Sequence, residues 1–446
     1  MDLLSRTGWA ELDIVGEPAL ADDITCDVVV IGGGGGGMSA ALRLAESGAD
    51  VVLLEAQTCG WGATSRNAGY VTNSVAADPG LLAMTNSRNR LRALFAYAEH
   101  AVEHTERVIA DRAIDCEYQQ EGIVLAAVTK GQLRKVRRSA RIASQAGSSA
   151  EFVDGREAGV PYGFLGGMRE GVGGTLNPGK YVRGLRAAVL ASGTRVFEHT
   201  RVHDVTDGPR GVLVETQHGR VRADRALLTT NAYGRDLPIT PKRLVSPVWT
   251  SLVETEPIAP ERLDALGWTS RAPVVTAHMI MENYRVTPRG TIVFGTRKLE
   301  TTRGPLEART PSKTLAADLL RGFRQRFPTL ADVQPRRAWG GWIGMSSTWL
   351  PLAGQVSPRV LYSIACNGHG FAQAQYVGHM LADHIAGEPM ADDLATIWHR
   401  GGMFWPGMVN STALNLIWLA DRASDRLAAR GKKQSPLRGF VAQPTA

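Results

Sequence analysis

Six consecutive glycines, Gly32 to Gly37, stand between the apolar run Val28-Val29-Val30-Ile31 and a small-residue stretch from Ser39 to Ser47. Glycine loses more backbone freedom on folding than any other residue, so such a run needs a structural reason. The flanks supply it. A buried strand that turns sharply into a helix needs glycine where the chain turns, where the backbone approaches a ligand and where the helix packs on the strand. Gly32, Gly34 and Gly37 take those places in a G-x-G-x-x-G pattern. A second apolar strand, Val51-Val52-Leu53-Leu54, ends at Glu55, eighteen residues past Gly37. A carboxylate there accepts ribose hydroxyls and disfavours a 2′-phosphate, so a dinucleotide other than NADP is expected, its pyrophosphate at the helix N-terminus.

Composition narrows the class. At 446 residues, with 44% hydrophobic and 21% charged residues, the chain has an ordinary globular makeup and room for two or three domains. No run of eighteen apolar residues occurs, and the start Met1-Asp2-Leu3-Leu4-Ser5-Arg6 lacks the apolar core of a signal peptide. No transmembrane segment and a cytoplasmic location are therefore expected. Four cysteines, Cys26, Cys59, Cys116 and Cys366, show no C-x-x-C spacing, which points to neither a metal site nor a disulfide framework. The net charge of +7 is densest at Arg134-Lys135-Val136-Arg137-Arg138-Ser139-Ala140-Arg141. On a helix these cations spread around the circumference without an aromatic platform, so they read as a solvated face and no nucleic-acid partner is expected.

Along the chain, residues 1–25 read as an extended leader with a small apolar patch around Trp9 and Ile14. A βαβ unit runs from Cys26 to Glu55, then a long loop of small and polar residues from Thr58 to Val71, of the kind that is usually functional. A helix from about Leu91 to Ala113, a strand Gly122–Ala126 and a helix through Ala146 follow. Gly174 to Leu185 leads into a further helix, and Thr194–Phe197 follows it. A hairpin of Val212–Glu215 with Gly219–Ala223 precedes a buried strand Arg225–Ala232. Residues 245–327 are strand-rich, with a hairpin from Asn283 to Gly295 turning through Pro288 to Gly290. Strand Val360–Ala365, glycine turn Cys366–Phe371 and helix Ala372–Ile385 form a second strand-glycine-helix element. The amphipathic segment Leu414 to Leu427 is expected to pack on its own protein or on a second subunit, giving a homodimer, with a membrane surface as the rarer fate.

Four motifs, in order, are the glycine run with Glu55, the loop Gly60-Trp61-Gly62-Ala63-Thr64-Ser65-Arg66-Asn67-Ala68-Gly69, the strand end Thr230-Asn231-Ala232-Tyr233, and Gly368-His369-Gly370-Phe371. Together they resemble the D-amino-acid-oxidase-like FAD oxidoreductases, most of all the gamma-glutamylputrescine oxidase type, from about Cys26 to Gly387. The resemblance implies an α/β fold in which a Rossmann-like FAD-binding domain (residues 1–95, 171–244 and 336–390) is interleaved with a strand-rich α+β substrate domain. The latter takes a helical segment, 96–170, and the strands of 245–335; a helical tail occupies 391–446. It also implies FAD-binding roles for Gly32, Gly34, Gly36 and Gly37, for Glu55 and Ala56 near the ribose, and for Val202 at the adenine. Gly62, Ala63, Thr64, Ser65, Arg66, Asn67 and Gly69 would pass beside the flavin and pyrophosphate, together with Asn231. Gly368, His369, Gly370 and Phe371 would meet the isoalloxazine ring, where turn amides and a helix N-terminus stabilise the negative charge of the reduced flavin.

Such chemistry asks more of the second domain. A C–H beside nitrogen must lie roughly 3–3.5 Å from the accepting flavin atom, and the amine must be neutral. Aromatic walls lower an amine pKa by desolvation, and Trp61, Trp249, Trp339, Trp342 and Trp349 are candidates, each with ordinary core as the alternative. His369, Tyr284, Arg285 and Trp342 are the catalytic candidates. His369 either titrates or shapes its loop, and Tyr284-Arg285 either contacts substrate or forms an ordinary strand pair.

Some expected residues are missing. Ile343 and Gly368 stand near the places of the arginines that clamp a carboxylate in glycine-oxidase-like members, which disfavours a simple α-amino acid unless Arg285 or Arg297 substitutes. No cysteine lies near Gly341, where sarcosine-oxidase-like members attach flavin, so FAD is expected to be non-covalent. Val293 stands where those members carry an oxygen-activating lysine, and Thr348-Trp349 where relatives often carry an acid. The leading expectation is an FAD-dependent amine oxidase that takes a small-molecule amine and molecular oxygen to an imine and hydrogen peroxide. The alternative is a dehydrogenase passing electrons to a quinone or carrier protein.

Overall fold

The computed structural model describes Trp9 and residues 15–75, 77–306, 309–399 and 407–429. Its first sheet has eight strands with a parallel centre. Val360–Ile364, Arg220–Leu228, Ile24–Ile31, Val51–Leu54 and Arg195–Phe197 lie side by side in that order. Leu352–Ser357 closes one edge antiparallel, and the hairpin Val202–Gly208 with Gly211–Thr216 feeds Arg220–Leu228. Val28-Val29-Val30-Ile31 is buried on both faces, as a covered parallel strand requires. Val28 and Val30 meet the helices through Met38, Leu42 and Leu381, whereas Val29 and Ile31 meet the hairpin through Val205, Val212 and Val214.

Two helices, Gly35–Glu46 and Gly370–Ile385, cross on the helical face. Their closest approach sets Gly36 against Ala374 and Gly378, and a Cβ on Gly36 would come within 2.8 Å of the Ala374 carbonyl oxygen. The glycine run therefore serves helix packing as well as the turn. Gly32, at φ +108°, holds a backbone conformation that a side chain would strain.

The second sheet has nine strands. Glu300–Thr301, Ser246–Thr255, Ile292–Thr296, Glu282–Val286, Val274–Thr276, Ile123–Ala126, Gly166–Glu170 and Glu151–Asp154 follow in spatial order, and Pro335–Met345 pairs antiparallel with Ser246–Thr255. The hairpin about Pro288 to Gly290 forms as its turn residues suggest. One face packs on the helix Lys313–Arg326 through an aromatic cluster in which Phe294 stacks on Phe323 at 4.6 Å and Phe327 meets Tyr284 at 5.0 Å. The opposite face turns toward the first domain.

Several elements differ from the sequence expectation. Residues 219–223 and 225–232 do not form two strands. Arg220–Leu228 is continuous because its early residues pair with Ile24–Cys26 as well as with the hairpin. It stops at Leu228, and Asn231, at φ +46°, opens the 3₁₀ turn Asn231–Asp236. The boundary expected at residue 336 falls inside the strand Pro335–Met345. Part of the leader is tied to the first domain: Glu198 Oε2 accepts the Glu17 N–H at 2.7 Å, and Arg186 bonds both Glu198 oxygens at 2.9 Å. Ile14 lies outside the described residues.

The helix Gly407–Ala429 packs on its own chain. Trp418 is buried with Val248, Ile280 and Met345, and Asp425 accepts the Met279 N–H at 3.1 Å. No helix among the described residues is long and apolar enough to cross a membrane.

Candidate active site

A cavity of about 1950 Å³ runs between the two sheets. It exceeds the ~300–1,000 Å³ of an ordinary small-ligand pocket, so it has room for a large cofactor and a second molecule. Gly32, Gly34, Gly36, Glu55, Ala56 and Val202 line one end. Glu55 Oε2 accepts the Gly33 N–H at 2.7 Å and Oε1 accepts the Gln57 N–H at 2.8 Å, while burial raises its pKa. The helix Gly35–Glu46 begins at Gly34 with no side-chain cap. The Gly35 N–H is taken by Thr64 Oγ1, which leaves the Gly36 amide of this first turn to meet an anion. Gly37 is not on the wall: a Cβ there would strike the Gly32 carbonyl, so this glycine serves helix-to-strand packing.

The middle of the cavity is built by the loop Gly60–Gly69. Gly35 N–H donates to Thr64 Oγ1 at 2.9 Å, tying this loop to the glycine turn. Trp339 Nε1 donates to Arg66 O and Trp9 Nε1 to Asn67 O, both at 3.0 Å, so two buried indoles hold the short helix Ala63–Arg66 from behind. Gly62, Ala63, Thr64, Arg66 and Asn67 reach the wall, whereas Ser65 is fully buried beneath it and Gly69 packs against the Leu176 carbonyl. Arg66 lies 4.7 Å from the Trp61 ring and donates to Trp61 O at 2.8 Å; desolvation lowers its pKa.

Opposite stands the second glycine turn. Ala365, Asn367 and Gly368 all have positive φ, a concentration of strain that marks functional turns. Asn367 Oδ1 accepts the Ser346 N–H at 2.8 Å, and Asn231 Oδ1 accepts the Cys366 N–H at 3.3 Å, so the residue after the strand Pro335–Met345 and the 3₁₀ turn Asn231–Asp236 brace the turn. Asn231, Gly368, His369, Gly370 and Phe371 line the cavity. His369 sets Nδ1 3.2 Å from Asn367 O, and burial lowers its pKa. The helix Gly370–Ile385, too, starts without a side-chain cap.

The far end is the open face of the nine-stranded sheet. Met168, Leu125, Val275 and Asn283 form one row across four strands in register, and Ile123 with Glu170 begins the next. Trp342 reaches the wall with its ring 5.3 Å from Trp249, and Arg309 lies 5.0 Å from it. Leu414, Ile417, Trp418 and Asp421 of the C-terminal helix roof this end.

Two catalytic candidates are not brought here. Tyr284 alternates with Asn283 and so points into the aromatic core on the other face, its hydroxyl 3.0 Å from Glu282 Oε2. Arg285 is covered by Trp9 at 4.8 Å and donates to Leu176 O at 2.7 Å and Gly69 O at 3.3 Å, so it pins the loop from behind. Arg297 is ion-paired with Glu282. Trp249 and Trp339 are core, while Trp61 and Trp349 line the cavity. Glu170, Asn283 and the roof residues escaped the sequence reading. Alternation in Gly166–Glu170 could have put Glu170 on the Met168 face, but nothing local says which face is the cavity.

The residues present fit a flavin dinucleotide. Two helix N-termini whose N-cap residues give no side-chain cap and a buried Thr230 hydroxyl without a partner meet one cavity, and the Glu55 carboxylate stands at the end of its strand beside the glycine turn.

Comparison with known proteins agrees. The chain is 27% identical to gamma-glutamylputrescine oxidoreductase of Escherichia coli (strain K12), over 83% of this chain and 85% of that one. It is 28% identical to the probable oxidoreductase OrdL of Rhizobium meliloti (strain 1021), over 86% and 90%. Among solved structures, glycine oxidase from Geobacillus kaustophilus superposes with a TM-score of 0.71 at 20% identity, covering 84% of this chain and all of that one. L-proline dehydrogenase from P. horikoshii gives 0.69 at 19%, over 82% and 94%. The family described as DAO, FAD dependent oxidoreductase, matches residues 27–384. That span takes in nearly all of both sheets, and the chain belongs to this family of FAD-dependent oxidoreductases.

Proposed function

We propose that this protein oxidises an amine at a C–N bond, removing a hydride from the carbon of the neutral amine to leave an iminium, which loses a proton to give the imine that water hydrolyses to a carbonyl compound and ammonia or an amine. The observation that carries the reading is the wall beyond the flavin loop. Ile343, Val248, Leu252, Val275 and Met281 make it apolar, neither Arg285 nor Arg297 reaches it to clamp a carboxylate, and Arg309 on the wall is ion-paired with Glu300 at 2.6 Å. The gamma-glutamylputrescine named in the E. coli relative supports an amine over a simple α-amino acid.

When bound, FAD supplies the hydride acceptor. The glycine turn, Glu55 and the loop Gly62–Asn67 would hold it without a covalent link. The apolar wall around Ile343 and Leu252 desolvates an entering amine and lowers its pKa, so the nitrogen lone pair becomes available. His369 is neutral at physiological pH. With Nδ1 turned to Asn367 O, its Nε2 carries the lone pair that can take a proton from an arriving ammonium. Arg66 and the N-terminus of Gly370–Ile385 offer fixed positive charge for the electrons delivered.

The final acceptor is read as molecular oxygen, giving hydrogen peroxide in the cytoplasm. One observation favours a second reading, transfer to a quinone or carrier protein: Val293 carries no charge and is packed in the core with Trp9, Ala68, Leu252 and Trp339. The test is anaerobic bleaching of the holoenzyme's visible absorbance by polyamines, N-methyl amines and amino acids, followed by air. Bleaching by an amine with rapid recovery and peroxide is expected. Slow recovery would favour the second acceptor, and bleaching by α-amino acids alone would overturn the amine reading.

A further inference from the structure

Among the described residues four glutamates are buried: Glu170, Glu198, Glu254 and Glu282. Three have cations. Glu198 pairs with Arg186 at 2.9 Å, Glu254 with Arg289 at 3.5 Å, and Glu282 with Arg326 at 2.7 Å and with Arg297. Glu170 has no lysine or arginine nitrogen within 4.0 Å among the described residues. Instead Thr72 Oγ1 donates to its Oε2 at 2.6 Å and the Asn73 backbone N–H donates to the same carboxylate. Two neutral donors fix the group in place but do not neutralise it. An ionised carboxylate withdrawn from water without a counter-charge is costly, and a chain with no use for it would place a neutral side chain there.

Its position says what it could serve. Glu170 lies on the cavity wall, on the same sheet face as Met168, Leu125, Val275 and Asn283. That row continues through Gly295 to Leu252, so the face crosses six strands, five spacings of about 4.8 Å or roughly 24 Å in all. Gly341, Ile343 and the flavin turn stand at the Leu252 side and Glu170 at the other. Between them the row is apolar except for Asn283. A long apolar floor with a buried anion at one end suits an alkyl chain with a cation at its tip.

We propose that Glu170 is the cation-binding end of the substrate cavity and takes the distal ammonium of an amine that carries two or more basic nitrogens, one presented for oxidation and one held by this carboxylate. The inference rests on the amine reading above and adds the substrate class. The charged neighbours agree with it: Glu99 lies beside Asn73, accepting from its Nδ2 at 3.1 Å, and Asp78 is balanced by Lys135 at 3.4 Å, so this end of the cavity is net acidic. Burial, with the Glu99 charge, holds the Glu170 carboxyl at about 7. A bound ammonium favours the ionised form, so preference for the cation grows as pH rises through that value.

The test compares, on anaerobic holoenzyme, thermal stabilisation by the long polyamines spermidine and spermine with that by butylamine, hexylamine and octylamine. At pH 8 at least one polyamine is expected to bind tenfold or more tightly than the monoamines. Glu170→Gln, which keeps the shape and removes the charge, should abolish that preference and leave monoamine binding within twofold. The preference in wild type should also shrink at pH 6, a readout that needs no variant. Equal binding of polyamines and monoamines by wild type, or a preference that survives Glu170→Gln, would overturn the subsite. Because binding is read from stability and oxidation from flavin absorbance in the same sample, this outcome is separate from that of the bleaching experiment: an amine can bind here and yet not be oxidised.

Discussion

The Glu55 carboxylate accepts hydrogen bonds from Gly33 and Gln57, so it shapes the glycine turn while its remaining lone pairs face the cavity. Glu55→Lys removes those acceptors and reverses the charge at the ribose position. FAD affinity should fall tenfold or more, about 1.4 kcal/mol, in a fluorescence titration of apoprotein. Full flavin content in the purified variant would show that this strand end takes no part. Glu170 makes a pH-dependent case. Its pKa is raised from 4.5 to about 7, so between those values the folded chain holds a proton that the unfolded chain has lost. Stability from this group is fully present below pH 4.5 and is lost as pH rises through 7, by roughly 3 kcal/mol at most. Glu170→Gln should therefore unfold at a higher temperature than wild type at pH 8 and show little difference at pH 4.5. A variant less stable than wild type at pH 8 would mean that the carboxylate has a cationic partner in the free protein.

At the scale of elements, each of the two glycine turns leads into a helix that starts without a side-chain cap, and the helices pack closely because Gly36 and Gly378 carry no side chain. The C-terminal helix Gly407–Ala429 is a different kind of element. Leu414, Ile417 and Trp418 face the cavity, while Leu416 and Leu419 are 62% and 66% exposed. Ending the chain after His399 removes the roof and leaves both sheets. The truncated protein is expected to keep its flavin but to let iodide quench flavin fluorescence several-fold more strongly. An unchanged quenching constant would mean that the helix does not shield the site, and a change in sedimentation would assign its exposed leucines to a subunit contact.

The whole molecule places one cofactor cavity between two sheets, so FAD should couple their unfolding. With free FAD at a hundred times its Kd, the folded state gains about 2.7 kcal/mol. Calorimetry is expected to show a single transition that moves upward with FAD; a second transition indifferent to FAD would mean that the nine-stranded sheet unfolds by itself. The βαβ unit, the hairpin about Pro288 to Gly290 and the second glycine turn were legible in the chain because their signals are local: glycine where φ turns positive, apolar runs where a strand is covered, a carboxylate at a strand end. The sequence by itself thereby determined a dinucleotide cradle and, through its four ordered motifs, an FAD enzyme. Which side of each strand faces the cavity was decided only in three dimensions. Tyr284 and Asn283 are neighbours, yet one lies in the aromatic core and the other on the cavity wall, because alternation assigns opposite faces without saying which is which. The same holds for Glu170, for Arg285 behind the loop and for a roof supplied by residues far along the chain. Each depends on which sheet face meets the other domain, and that is a property of long-range packing that no local stretch encodes.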